Sequence, residues 1–120
     1  MTGNRHLFAI ALFTLAACNE NSDYKLIRTQ GQMKMVSVST SFVENSENYA
    51  AIVSAECPSG KFCKILFFEN VSSVSFPLSD SDLGAQVASY SRNPSSGLDE
   101  LMYACSLGIA DSQNCFSNEL

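Results

Sequence analysis

Apolar positions alternate with serines along Val36-Ser37-Val38-Ser39-Thr40-Ser41-Phe42. A period of two sends successive side chains to opposite faces, so this stretch predicts a half-buried strand with an apolar face and a serine ladder. Glu44-Asn45-Ser46 then supplies a turn and a candidate helix N-cap. Tyr49, Ile52, Val53 and Glu56 recur at helical spacing, with Ala50, Ala51 and Ala55 between them. They predict a helix of about ten residues that ends before Cys57-Pro58, because the residue preceding a proline avoids the α region.

Phe62–Phe68 (FCKILFF) is the most apolar run of the globular part and predicts a central strand buried on both faces apart from Lys64. A weaker alternation at Val74, Phe76 and Leu78 predicts an edge segment that Pro77 ends. Ser79-Asp80-Ser81-Asp82 then places caps and acids before Leu83, Val87 and Tyr90, which share a helical face. Arg92-Asn93-Pro94-Ser95-Ser96-Gly97 stops that helix. Leu98–Cys105 reads as a further strand with Leu101, Tyr103 and Cys105 on one face, a helix after Gly97 being the alternative. The order strand, helix, strand, helix, strand predicts a small α+β domain, a three- or four-stranded sheet carrying two helices. There is no internal repeat and no low-complexity tract.

The first eighteen residues are of a different kind. Met1–His6 carries Arg5 and no acid, and Leu7–Leu15 is a continuous apolar run followed by Ala16-Ala17-Cys18. This is the three-part layout of a secretory signal peptide. At ~1.5 Å per residue the run rises ~14 Å, too short for a hydrocarbon core of ~30 Å. Leu15-Ala16-Ala17-Cys18 resembles the lipobox of bacterial lipoproteins, and the resemblance covers these eighteen residues. It implies cleavage before Cys18, acylation of its sulfur and of its new amino group, and attachment to a membrane. Ordinary cleavage after Ala17 is the competing reading, but it puts bulky Leu15 where a small residue is wanted. Two or more acyl chains anchor stably where one binds marginally. Asn19, rather than Asp, follows the cysteine; by the same resemblance this favours the outer membrane if the cell is Gram-negative. The division that follows is a signal peptide over 1–17, a lipidated cysteine and flexible tether over 18–32 (CNENSDYKLIRTQGQ), and an exported domain over 33–120.

Five cysteines leave one over when the rest pair. Assigning Cys18 to lipid leaves Cys57, Cys63, Cys105 and Cys115. Local pairing, Cys57 with Cys63 and Cys105 with Cys115, is preferred because Pro58 and Gly60 lie where the first ring must reverse. Each ring adds roughly 2.5–3 kcal/mol in the loop-entropy view. A Cys63–Cys105 bridge between antiparallel strands is the rival. Staples are expected, since a domain of about 85–90 residues has a marginal core. Zinc is disfavoured by the spacing and the oxidising compartment.

Composition narrows the chemistry. The chain is 46% hydrophobic and 16% charged, with a net charge of −5. Beyond the leader, Lys25, Arg28, Lys34, Lys61, Lys64 and Arg92 are scattered among the acids, so neither a nucleic-acid footprint nor a polybasic membrane patch is expected. The one histidine, His6, lies in the leader and there is no tryptophan. No base therefore stands ready for a Ser–His or Cys–His pair. A Ser–Lys pair would need Lys61 or Lys64, and no serine is marked out. Asp99 and Glu100 are adjacent and fall on opposite faces of a strand. Asp80 and Asp82 begin like a calcium loop, but Gly84 and Ala85 break the pattern, and helix capping accounts for them. Asn70-Val71-Ser72 matches a glycosylation sequon, a common chance match with little meaning if the chain is bacterial, as the lipobox resemblance implies.

Pro58, Ser59, Gly60, Lys61 and Phe62 form the candidate interaction loop, pre-ordered if its flanking cysteines pair. Phe62 either offers its ring to a partner or packs inward as the first residue of the strand. Phe62-Cys63-Lys64, Gln86–Tyr90, Arg92-Asn93-Pro94, Gly97 and Cys105 together resemble small exported bacterial modules of uncharacterised role; this implies a recurring domain and no activity. The expectation is a non-enzymatic, lipid-anchored envelope protein without cofactor. Its domain binds an envelope protein as inhibitor- and immunity-type proteins do, or alternatively serves as a structural or accessory component.

Overall fold

The computed structural model describes residues 23–109 and 115–117. The fold is α+β: a mixed five-stranded sheet with two helices. Strands β1 (Tyr24–Gln30), β2 (Met33–Val38), β3 (Cys63–Glu69), β4 (Gln86–Asn93) and β5 (Leu98–Tyr103) lie side by side in chain order. β2 and β3 run parallel, and every other neighbouring pair is antiparallel. The parallel pair needs a crossover, which helix α1 (Ser46–Glu56) supplies. Helix α2 (Asp80–Ala85) leads straight into β4.

α1 starts as its sequence requires. The Asn45 side chain accepts the amide hydrogen of Glu47 at 3.0 Å, satisfying one of the unpaired amides of the first turn. The helix lays Tyr49 and Ile52 on Val36, Val38, Ile65, Phe67, Ala88 and Tyr90 of the sheet. Tyr49 is wholly buried. Its ring meets Phe42, Phe67 and Tyr103 edge-on at 5.1–5.6 Å, and its hydroxyl donates to the Val43 carbonyl at 2.6 Å.

The opposite sheet face carries Met35, Leu66 and Phe68, covered by Val74 with Val71, Leu78 and Ala85 from the 70–85 segment. β3 is thus apolar on both faces, as its sequence predicts, with Lys64 half-buried. β2 is covered on both faces too. Ser37 is buried rather than part of an exposed ladder, and its hydroxyl accepts the Val71 amide at 3.1 Å.

Four expectations are corrected. The segment read as tether becomes β1 from Tyr24 onward, joined to β2 by a two-residue turn in which Gly31 has φ +63°. A left-handed first turn residue matches the twist of a hairpin, which is why glycine stands there. The strand predicted to run to Phe42 stops at Val38, and Thr40–Phe42 form a 3-10 turn. Asn70–Pro77 forms no strand, leaving Val74 to plug the second core. The helix predicted through Tyr90 ends at Ala85, and Gln86–Asn93 is strand β4. Val87 and Tyr90 fit a helical face locally, but the segment pairs with β3 and, from Ala88 onward, with β5, which makes it an interior strand of the sheet.

Both locally preferred disulfides are present: Cys57–Cys63 with Cα atoms 5.7 Å apart, and Cys105–Cys115 at 4.9 Å. The first closes the connection from α1 to β3. The second holds Phe116 against the end of β5, where Cys105 N donates to Phe116 O at 2.8 Å and Phe116 N to Tyr103 O at 3.1 Å. Cys18, with the rest of the leader and residues 19–22, lies outside the described residues.

Candidate functional site

The strand directions sort the connections into two ends of the sheet. One end holds the β1–β2 turn at Gly31-Gln32, the stapled loop 58–62 and the β4–β5 turn at 94–97. The other holds Asp23, Ser39, Asn70, Gln86 and Ala104, cross-linked by Ser39 N to Asp23 O at 3.1 Å, Asn70 N to Val38 O at 2.8 Å and Ala104 N to Val87 O at 2.9 Å.

All five residues of the predicted interaction loop are exposed, while the flanking Cys57 and Cys63 are buried. Pro58 breaks α1, and the chain reverses through Gly60, whose φ of +72° L side chains rarely adopt; Lys61 N closes the turn on Pro58 O at 3.4 Å. Phe62 precedes the first residue of β3 and keeps 42% of its surface open, so the inward-packing alternative is not what the fold adopts.

Three restraints hold the loop. The first is the disulfide. The second and third come from Arg92 at the end of β4, opposite Cys63 in the ladder: its Nη2 donates to Pro58 O at 2.6 Å and its Nε to Lys61 O at 3.1 Å. A guanidinium presents these donors in a rigid fork. Its carbon also lies 6.0 Å from the centre of the Tyr90 ring. The Tyr90 hydroxyl donates to Asp99 Oδ1 at 2.7 Å, and burial with that carboxylate raises its pKa.

Beside the loop runs a groove of about 260 Å³, lined by Thr29, Gly31, Gln32 and Lys34 of the hairpin and by Pro58, Lys61 and Phe62. Lys34 is fixed in it. Its ammonium donates to the last carbonyl of α1, Glu56 O, at 2.7 Å and to Glu56 Oε1 at 3.2 Å, while Tyr24 donates to Glu56 Oε2 at 3.0 Å. A cation at a helix C-terminus meets unpaired carbonyls and the negative end of the dipole. Lys61 makes no side-chain hydrogen bond or ion pair among the described residues.

Sequence reasoning reached the loop but missed Arg92 and the hairpin side of the groove. Gly31-Gln32 ahead of the Met33–Val38 strand was the signal for the hairpin. Nothing local marks Arg92, which lies 34 residues from Pro58.

Two other side-chain groups have been weighed as chemistry. Lys64 Nζ lies 2.7 Å from Ser91 Oγ, and burial pushes the Lys64 ammonium down while Glu100 pulls it back up. This is the Ser–Lys contact that the sequence left unassigned. β3 and β4 each have strands on both sides, so the amides around Ser91 belong to the sheet and do not converge where an oxyanion would form. The arrangement serves as a cross-strand hydrogen bond. Asp82 caps α2: its Oδ2 accepts from Ser79 N, Ser75 N and Ser75 Oγ, each at 3.0 Å, and its own amide donates to Ser79 Oγ at 3.1 Å. These donors hold its carboxyl at about 2. Asp82 thus completes the cap of α2, and Asp80 is an acid of the same first turn. No group of three or more metal-binding side chains occurs among the described residues, and no described helix is long and apolar enough to cross a membrane.

No protein-family model, curated protein or solved structure matches the chain.

Proposed function

We propose that this is an exported envelope protein held by lipid on Cys18, and that its domain binds another envelope protein through the stapled loop, in the manner of inhibitor- and immunity-type proteins. The observation that carries the reading is the loop itself. Pro58–Phe62 is exposed, yet tied by a disulfide and two Arg92 hydrogen bonds, so a partner would spend little entropy in ordering it. Phe62 supplies an aromatic anchor at the edge of a groove.

Two features support the anchor. Pairing of Cys57 with Cys63 and of Cys105 with Cys115 leaves Cys18 without a partner cysteine, at the end of the Leu15-Ala16-Ala17-Cys18 motif. The chain also enters the domain at Asp23, the sheet end opposite the loop. The strands are about 20–25 Å long at ~3.3 Å per residue, so the loop lies about that far from Asp23.

The test is photo-crosslinking in cells producing the full chain, with a benzophenone amino acid replacing Phe62 or, as control, exposed Glu47. A discrete protein adduct from position 62 and none from position 47 supports the reading. No adduct, or equal adducts from both, overturns it. Mass spectrometry of the membrane-extracted chain checks the anchor: an acylated Cys18 N-terminus is expected, and an intact Met1 would exclude it.

A further inference from the structure

We propose that the segment taken up by the stapled-loop groove is acidic and carries an apolar side chain. This rests on the protein-binding reading above and specifies the partner's chemistry.

Charge is divided unequally between the ends of the sheet. Among the described residues, Lys34, Lys61, Lys64 and Arg92 at the stapled-loop end stand against Glu56, Asp99 and Glu100, four cations to three anions, and at the opposite end Lys25 alone stands against Asp23, Glu44, Glu47, Glu69, Asp80 and Asp82. Arg28 lies mid-strand between them, its Nη1 3.4 Å from the Val74 carbonyl oxygen. Four of the six described cations thus stand at the loop end, and six of the nine described acids at the other.

Of the four cations at this end Lys61 is the one left without a side-chain partner among the described residues, while Asp99 stands directly opposite Arg92 in the ladder. Lys34 is paired with Glu56, the one ion pair among the described residues, and Lys64 faces Ser91 on the far side of the sheet. Arg92 spends its donors on two neutral carbonyls, which fix its position without cancelling its charge. Lys61 is exposed and unpaired among the described residues, next to exposed Phe62 on the same groove. A carboxylate entering beside Lys61 meets positive potential, and an acidic segment approaching the other end is repelled; such a field selects orientation and partner.

The same inventory argues against a polyanion. An end with four cations and three anions has too small an excess to hold a run of phosphates, and Phe62 and Pro58 would gain nothing from one. A carboxylate next to an aliphatic or aromatic side chain matches both halves of the surface.

The test uses the purified full chain in detergent and three fluorescein-labelled peptides: alternating glutamate and leucine, its lysine–leucine counterpart, and glutamate alone. Fluorescence anisotropy should show saturable binding of the first only, weakened about tenfold by Lys61→Glu and falling with added salt. Lys25→Glu makes the same change in net charge at the opposite end and should leave the affinity within about twofold. Equal binding of the lysine–leucine peptide, or equal effects of the two substitutions, overturns the inference. So does equal binding of glutamate alone, which would mark a site for anions without an apolar requirement. Photo-crosslinking from position 62 in the Lys61→Glu chain separates the levels. If the adduct persists undiminished, the acidic chemistry falls and protein binding stands. If the unsubstituted chain gives no adduct either, both fall.

Discussion

Arg92 Nη2 lies 2.6 Å from the carbonyl oxygen of Pro58, a bond that spans 34 residues and ties the end of β4 to the exposed loop before β3. With the second bond to Lys61 O it makes the loop's shape depend on the pairing of the sheet. Arg92→Ala should therefore loosen the loop far more than the fold. The expected cost is about 1 kcal/mol in urea unfolding, with faster hydrogen exchange at the Lys61 amide. Arg92→Lys should recover little of that protection, because an ammonium cannot span both carbonyls.

The Cys57–Cys63 bridge makes a second, separable contribution. Replacing both cysteines by alanine should lower stability by about 2–3 kcal/mol, read as a shift in the urea midpoint. An unchanged midpoint would mean that closing this short ring restricts the unfolded chain too little to register.

Tyr49 joins the two requirements of the main core, volume and a satisfied carbonyl. Tyr49→Phe keeps the three edge-on ring contacts but leaves the buried Val43 oxygen without its donor, for about 1–3 kcal/mol. Tyr49→Ala adds the cavity, for about 3–5 kcal/mol, and should leave the chain largely unfolded at 37 °C by near-ultraviolet circular dichroism.

Asp82 sets an acid limit. Its carboxyl, ordinarily at 3.8, is lowered to about 2 by the amides of Ser79 and Ser75, so folding favours the ionised form. The stability it contributes is complete above about pH 4 and is lost as pH falls through about 2. Asp82→Asn should lower stability at pH 7 by about 1–2 kcal/mol and flatten the pH dependence of the unfolding midpoint over that interval. A retained acid limb of the same height would assign it to other carboxylates.

Much of the architecture was legible because it is local. The FCKILFF run demanded burial on both faces, the Tyr49–Glu56 spacing demanded one helical face, and Pro58 and Gly60 between two cysteines favoured a closed reversal that the Cys57–Cys63 bridge completes. β1 was not legible. Leu26 keeps 42% of its surface exposed on an edge strand, so burial leaves little pattern there, and the polar spelling of Tyr24–Gln30 resembles a tether. β4 was misread for another reason. Val87 and Tyr90, three residues apart, fit a helical face and not a regular strand; both reach the main core from β4 only because the register slips opposite Phe67 and Phe68, which the spacing does not announce.

The candidate site divides in the same way. By itself the sequence determined the loop's place between its two cysteines, since turn formation involves neighbours within a few residues. Only the tertiary structure decided that Phe62 points outward, that Arg92 clamps the loop, and that Thr29 to Lys34 form the other wall of the groove. Those relationships depend on which strands pair. Backbone hydrogen bonds between strands are made alike by almost any side chain, so side-chain pattern alone does not specify them.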